Sequence, residues 1–106
     1  MSAFKKSIEN LMKETELGED FCNNLLNNFI RDAEVLTYSI KNNLENNKIK
    51  EAGQLLHQLK GSSGSARADD IYNNTINAEM ALINSDINQT LTYIKIISQL
   101  ISDFYN

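Results

Sequence analysis

Apolar residues recur every three to four positions in five separate stretches of this 106-residue chain, and nowhere do they alternate at a period of two for long enough to make a strand. That spacing predicts five amphipathic helices, and no proline interrupts any of them. Phe4, Ile8, Leu11 and Met12 stripe a short first helix over about 2–13, with Ser2 placed to cap it. Phe21, Cys22, Leu25, Leu26, Phe29, Ala33, Leu36, Ile40 and Leu44 stripe a second over about 19–45, where Glu19 and Asp20 suit the positive end of the helix dipole. At 1.5 Å per residue this helix is about 39 Å long, longer than its neighbours, so its N-terminal end is expected to overhang and the short first helix to cover it. Further helices are expected over about 48–66, 68–84 and 86–105, on stripes that include Ala52, Leu56 and Leu59, then Ile71, Thr75 and Ala78, then Ile94, Ile97 and Ile101. The breaks between them are short and polar, Asn46-Asn47 and Asn84-Ser85-Asp86 among them, and short links join antiparallel neighbours. The expected fold is all-α: an antiparallel up-down-up-down four-helix bundle with a short N-terminal cap helix, one domain across 1–106.

The rest of the composition narrows the chemistry by exclusion. A length of 106 residues holds one core. The net charge of −4 argues against a nucleic-acid module, which would be basic. The single Cys22 cannot form an intrachain disulfide, and its place on an apolar stripe predicts a small core residue in a reducing compartment. No apolar run approaches the roughly 20 residues that span a bilayer, and Lys5-Lys6 does not introduce a signal-peptide core, so a cytoplasmic, membrane-free monomer is expected. One histidine and one distant cysteine do not make a zinc site, and no glycine-rich loop ending in Lys-Ser/Thr follows a strand, so neither a metal nor a nucleotide is expected on this chain.

What remains is concentrated in the third helix, in the run Leu55-Leu56-His57-Gln58-Leu59-Lys60-Gly61-Ser62-Ser63-Gly64-Ser65. His57 is the only histidine. Gly53, His57, Lys60, Gly61 and Gly64 are separated by threes and fours, so they share one face, away from Leu55, Leu56 and Leu59. Glycine within a helix costs about 1 kcal/mol relative to alanine, and three in one span call for a reason. Access is the reason expected here: another protein comes close to the imidazole, and side chains would obstruct it. From position alone, a lone histidine beside apolar residues is more often structural than reactive.

The motif shifts that balance. His57-Gln58-Leu59-Lys60-Gly61-Ser62-Ser63-Gly64 resembles the signature of histidine-containing phosphotransfer domains, His-x-Leu-Lys-Gly-Ser/Ala-Ser/Ala followed by small residues, and the likeness extends from roughly Glu19 to the C-terminus. The resemblance implies that His57 is a phosphoacceptor, that Lys60 stabilises the phosphoryl group, and that Glu79 on the next helix orients the imidazole. It implies a carrier with no kinase core or bound cofactor of its own. The partners would be receiver domains of response regulators or hybrid histidine kinases, which hold Mg²⁺ beside their own aspartate. Gly53, Gln54, Gly61 and Gly64, with Lys50 and Arg67 as a basic rim, are the expected docking surface. Arg67 departs from the glycine or asparagine usual near its position. Two other readings stay open: a silent bundle that binds a receiver without transfer, and an input domain phosphorylated directly by a histidine-kinase ATP-binding domain.

Overall fold

The computed structural model describes all of residues 1–106, and it contains five helices and no strand. They are α1 (Ala3–Thr15), α2 (Glu19–Glu45), α3 (Ile49–Ser65), α4 (Asp69–Ile83) and α5 (Ile87–Ser102). α2 packs on α3, α3 on α4, α4 on α5 and α5 back on α2, so the four longer helices enclose one core, and α1 lies against α2. The molecule measures 42 × 23 × 19 Å, and its long dimension is close to the length of the 27-residue α2, about 40 Å.

The stripes that define the helices also fill the core. Leu26, Ala33 and Ile40 from α2, Ala52, Leu56 and Leu59 from α3, Ala78 from α4 and Ile97 from α5 are all fully buried. Cys22 is a free, buried thiol in the same cluster. Apart from Ser7, the polar residues that enter the core satisfy themselves locally, within four residues. Thr37, Thr75 and Thr90 donate to the carbonyls of Ala33, Ile71 and Asp86 at 2.6, 2.7 and 2.7 Å, and no buried side-chain nitrogen or oxygen lacks a partner. Not every apolar residue on a stripe is covered. Phe21, placed on the α2 stripe by periodicity, is 57% exposed, and Ile83 at the end of α4 is 80% exposed.

The connections explain how four helices close so tightly. Residues 46–48, 66–68 and 84–86 form the same three-residue turn. Asn47, Arg67 and Ser85 adopt left-handed φ angles of 59, 57 and 59°, and the three amides that follow each helix bond back into its last turn. In the second of these turns Arg67 N donates to Gly64 O at 3.1 Å and Ala68 N to Ser63 O at 3.0 Å, which satisfies carbonyls the helix end would leave open. None of the three positions is glycine, although a left-handed conformation costs a residue with a Cβ about 1–2 kcal/mol. Ser85→Gly should therefore stabilise the protein by about 0.5–1 kcal/mol after allowing for the freer unfolded chain, a Tm rise of a few degrees. Arg67→Gly should gain less or lose, because Arg67 also makes tertiary contacts. Equal gains in the two melts would show those contacts to be without consequence.

Those contacts tie α1 to the end of α3. Arg67 Nε meets Glu14 Oε2 at 3.0 Å, and the buried Ser7 hydroxyl donates to the Arg67 carbonyl at 2.9 Å. At the other side of α1, Phe4 N donates to Phe104 O at 2.9 Å and the Phe4 ring stands edge-on to Phe104. α5 stops at Ser102, three residues before the periodicity suggests, and this contact is the reason: the chain turns after Ser102 so that Phe104, 1% exposed, folds in beneath α1.

Candidate functional site

The residues of the unusual face lie on one side of α3, whose opposite side is anchored by Ala52, Leu56, Leu59 and Ser63. Three apolar contacts per two turns hold the helix against the core, and this turns His57 outward: its side chain is 76% exposed. Lys60 follows one turn later and is half-buried. α4 supplies the third side chain. Its buried residues Ile71, Thr75 and Ala78 fix its rotation so that Glu79, one position on from Ala78, stands at the edge of the α3–α4 seam with 20% of its side chain exposed.

His57 and Lys60 converge on that one carboxylate. Glu79 Oε1 holds Lys60 Nζ at 3.0 Å, a close ion pair. Glu79 Oε2 approaches His57 Nδ1 to 3.8 Å, near enough for a charge to be felt and too far for a hydrogen bond. Sequence spacing brings His57 and Lys60 together, since they are neighbours on one helix. Glu79 arrives from another helix, and its pairing with Lys60 had no signal in the sequence.

The glycines of the face prove to be of different kinds. A Cβ on Gly61 would meet nothing within 4 Å, so open space lies over this position one turn beyond His57. A Cβ on Gly53 would touch Leu82 at an ordinary 3.7 Å. On Gly64 it would come within 3.2 Å of the Tyr72 ring, tighter than most side chains tolerate. Gly64 thus also has a reason within the chain, the close approach of α4.

Arg67 likewise has partners within the chain. It lies ten residues past His57, about 15 Å along the helix axis, with its guanidinium on Glu14 and on the carbonyls of Gly64 and Ser65. Its left-handed φ fills the role that glycine or asparagine would fill at that break. Lys60 and Arg67 are each about one-third exposed and paired with a carboxylate of the same molecule, and Lys48 and Lys50 are the exposed cations of this segment without such a partner. Gln54 is also exposed, one turn before His57.

A groove of about 510 Å³ runs between α2 and the C-terminal half of α3, on the side of α3 that carries Ser62 and Ser65. Phe21, Asn24, Leu25 and Asn28 line it from α2. Sequence reading missed it, because Phe21 and Leu25 fit the core stripe of α2. The signal available was the asparagine at each turn beside them, which widens the exposed face.

An Hpt domain model matches residues 24–103, three-quarters of the chain. The chain belongs to the Hpt domain family. No curated protein and no solved structure matches it significantly. Membership makes this Hpt domain a phosphocarrier of two-component signalling, without a kinase core, from a family whose partners are response-regulator receiver domains. The match leaves out α1, the first five residues of α2 and the last three residues of the chain. No helix is long and apolar enough to cross a membrane, and no group of three or more His, Cys, Asp or Glu side chains is arranged to hold a metal ion.

Proposed function

We propose that this Hpt domain is a phosphorelay intermediate that carries a phosphoryl group on His57 between receiver domains. The observation that carries the reading is the exposed imidazole with Nδ1 directed at Glu79 and Lys60 beside it. A carboxylate facing Nδ1 favours the tautomer with the proton there, which leaves the Nε2 lone pair free. Nε2 attacks the phosphorus of a receiver phosphoaspartate, the N–P bond forms as the aspartate O–P bond breaks, and the aspartate leaves as carboxylate. Nδ1 keeps its proton, so the ring becomes cationic beside Glu79. Lys60 serves the phosphoryl oxygens as a mobile point charge. The reverse transfer to a second receiver uses the same groups, with the divalent cation held by the receiver.

The bundle reading supports the same role. Three turns of three residues each join helices that pack as neighbours, which suits an up-down-up-down arrangement with α1 as the cap. Rigid packing under α3 holds the imidazole at a constant place, and Gly53, Gln54, Gly61 and Lys50 offer the receiver a low, weakly basic approach. The α2–α3 groove beside them gives an apolar extension of that surface. The protein works as a monomer in the cytoplasm on this reading.

The test is to mix the chain with a phosphorylated receiver and map the label. Acid-labile, alkali-stable label on His57 is the expected result. Binding without label would select the silent receiver-binding bundle instead, and label only with a histidine-kinase ATP-binding domain would select the input-domain reading. A variant sharpens the test: Lys60→Ala should keep the fold and slow transfer by about one to two decades, the rate equivalent of a charge-assisted hydrogen bond of roughly 1.5–3 kcal/mol made in the transition state. Unchanged kinetics would leave Lys60 as a partner of Glu79 alone.

A further inference from the structure

α4 is apolar on two sides. One side, with Ile71, Thr75 and Ala78, packs into the core. The other carries Tyr72, Ile76, Met80 and Ile83 at spacings of four, four and three, so these side chains form one line along the outside of the helix. Met80 is 58% and Ile83 80% exposed, and Tyr72 and Ile76 keep part of their surface in water. A surface helix ordinarily turns charged and polar residues to this side. From Ile71 to Ser85 the only charged residue is Glu79, and Lys60 of the same molecule neutralises it. α4 packs on α3 and α5, and neither covers Met80 or Ile83. A contiguous apolar face left open in this way marks a contact surface.

The two ends of the line carry opposite charges. Asp69 opens α4 on the same side as the line, exposed and without an ion pair. Lys50 stands at the other end. Gly64 lies against Tyr72 and Gly53 against Leu82, so α3 runs beside α4 in the opposite sense. Lys50, one turn before Gly53, therefore falls level with the end of α4, and it too is exposed and unpaired. An apolar line with a free anion at one end and a free cation at the other complements itself when turned end for end. A two-fold axis level with Ala78 sets Tyr72 against Ile83 of a second copy, Ile76 against its Met80, and Asp69 against its Lys50.

We propose that two copies of this chain pair through α4, antiparallel, by the apolar line and the two Asp69–Lys50 contacts that flank it. The line is about 22 Å long and one side chain wide, well short of the roughly 800 Å² per partner of a standard interface. The pair is accordingly weak, and the dilute chain stays monomeric.

Sedimentation of the full chain from about 10 μM to about 1 mM tests this. The sedimentation coefficient should rise with concentration, from that of a monomer toward that of a dimer. Met80→Gln combined with Ile83→Gln should melt as the parent does, since both side chains are exposed and glutamine suits a helix. It should raise the dissociation constant at least tenfold, because each side chain counts twice at a two-fold interface. Charge exchange gives the decisive arm. Asp69→Lys and Lys50→Glu, both at exposed positions, should keep the parent's helix content, and each alone should pair more weakly because like charges then face each other. Mixed in equal amounts the two variants should pair again, since every exchanged charge meets its opposite on the other chain. A parent that stays monomeric throughout overturns the proposal, as does one that associates only when a receiver is added. Undiminished association of the glutamine double variant places the contact elsewhere and overturns it too. Mixed charge variants that fail to pair at concentrations where the parent does overturn the end-for-end arrangement.

Discussion

His57→Gln is expected to fold and melt as the parent does and to accept no phosphate from any receiver. The fold part follows from exposure. The imidazole is 76% outside the protein and makes no hydrogen bond, the helix beneath it is anchored by other residues, and glutamine is a better helix former than histidine. The change in stability should be within about 0.5 kcal/mol, the usual range for a surface substitution. The chemical part is absolute by comparison. A carboxamide nitrogen has its lone pair delocalised into the carbonyl and does not form an N–P bond with an acyl phosphate, and His57 is the only histidine in the chain. Lys60 and Glu79 keep each other as partners, so the surface a receiver meets is almost unchanged. Receiver binding should therefore survive while labelling is lost. A His57→Gln protein that still takes label from a phosphoreceiver would place the acceptor elsewhere and remove the basis of the proposed function.

Gly61→Gln should separate docking from folding. Open space over Gly61 means that a Cβ there meets no part of its own molecule, and replacing a helical glycine with a good helix former removes a penalty of about 1 kcal/mol. The variant is expected to melt no lower than the parent. Its long side chain would, however, stand one turn from His57 on the side a receiver must approach. Binding and exchange with a receiver should slow at least tenfold, equivalent to about 1.4 kcal/mol. A small phosphodonor such as phosphoramidate, if it reacts, needs no protein-sized approach and should be affected far less. Gly61→Ala should show the same trade in miniature, a gain in stability with a modest loss of rate. Parent-like transfer to Gly61→Gln would show that the bare face is not where receivers dock. Gly64 is the internal control. Its Cβ would press on Tyr72 at 3.2 Å, so Gly64→Ala should fail to gain stability, in contrast to Gly61→Ala.

The contrast between these two glycines marks the limit of what the linear sequence could say about the site. Periodicity places both on the His57 face of α3, and nothing in the chain around them differs enough to tell them apart. The distinction lies in α4, which crosses close to Gly64 and leaves Gly61 open. Phe21 shows the same limit from the other direction. It fits the apolar stripe of α2, but the helix beside it runs out at Ser65, and beyond that point α2 has no neighbour on that side to cover it. The greater length of α2 was legible from its stripe, since rise per residue is a fixed quantity; which residues of the other elements α1 would meet was not.

Local physics is what the sequence by itself determined. Apolar spacing set five helices and the inward side of each, because a helix has one rotation that buries its stripe. Ser2 and Asp86 set two helix starts through hydrogen bonds to Lys5 N and Gln89 N, both within three residues. The outward aim of His57 and its nearness to Lys60 were likewise set within one turn of α3. Tertiary structure alone decided the partners that come from elsewhere: Glu79 for Lys60, Glu14 and Ser7 for Arg67, Tyr72 for Gly64. Each of those depends on the axial offset between two helices, and a shift of one residue, about 1.5 Å, is enough to part a carboxylate from an ammonium. The offset is chosen by the packing of all four core faces together, which no single helix carries in its own sequence.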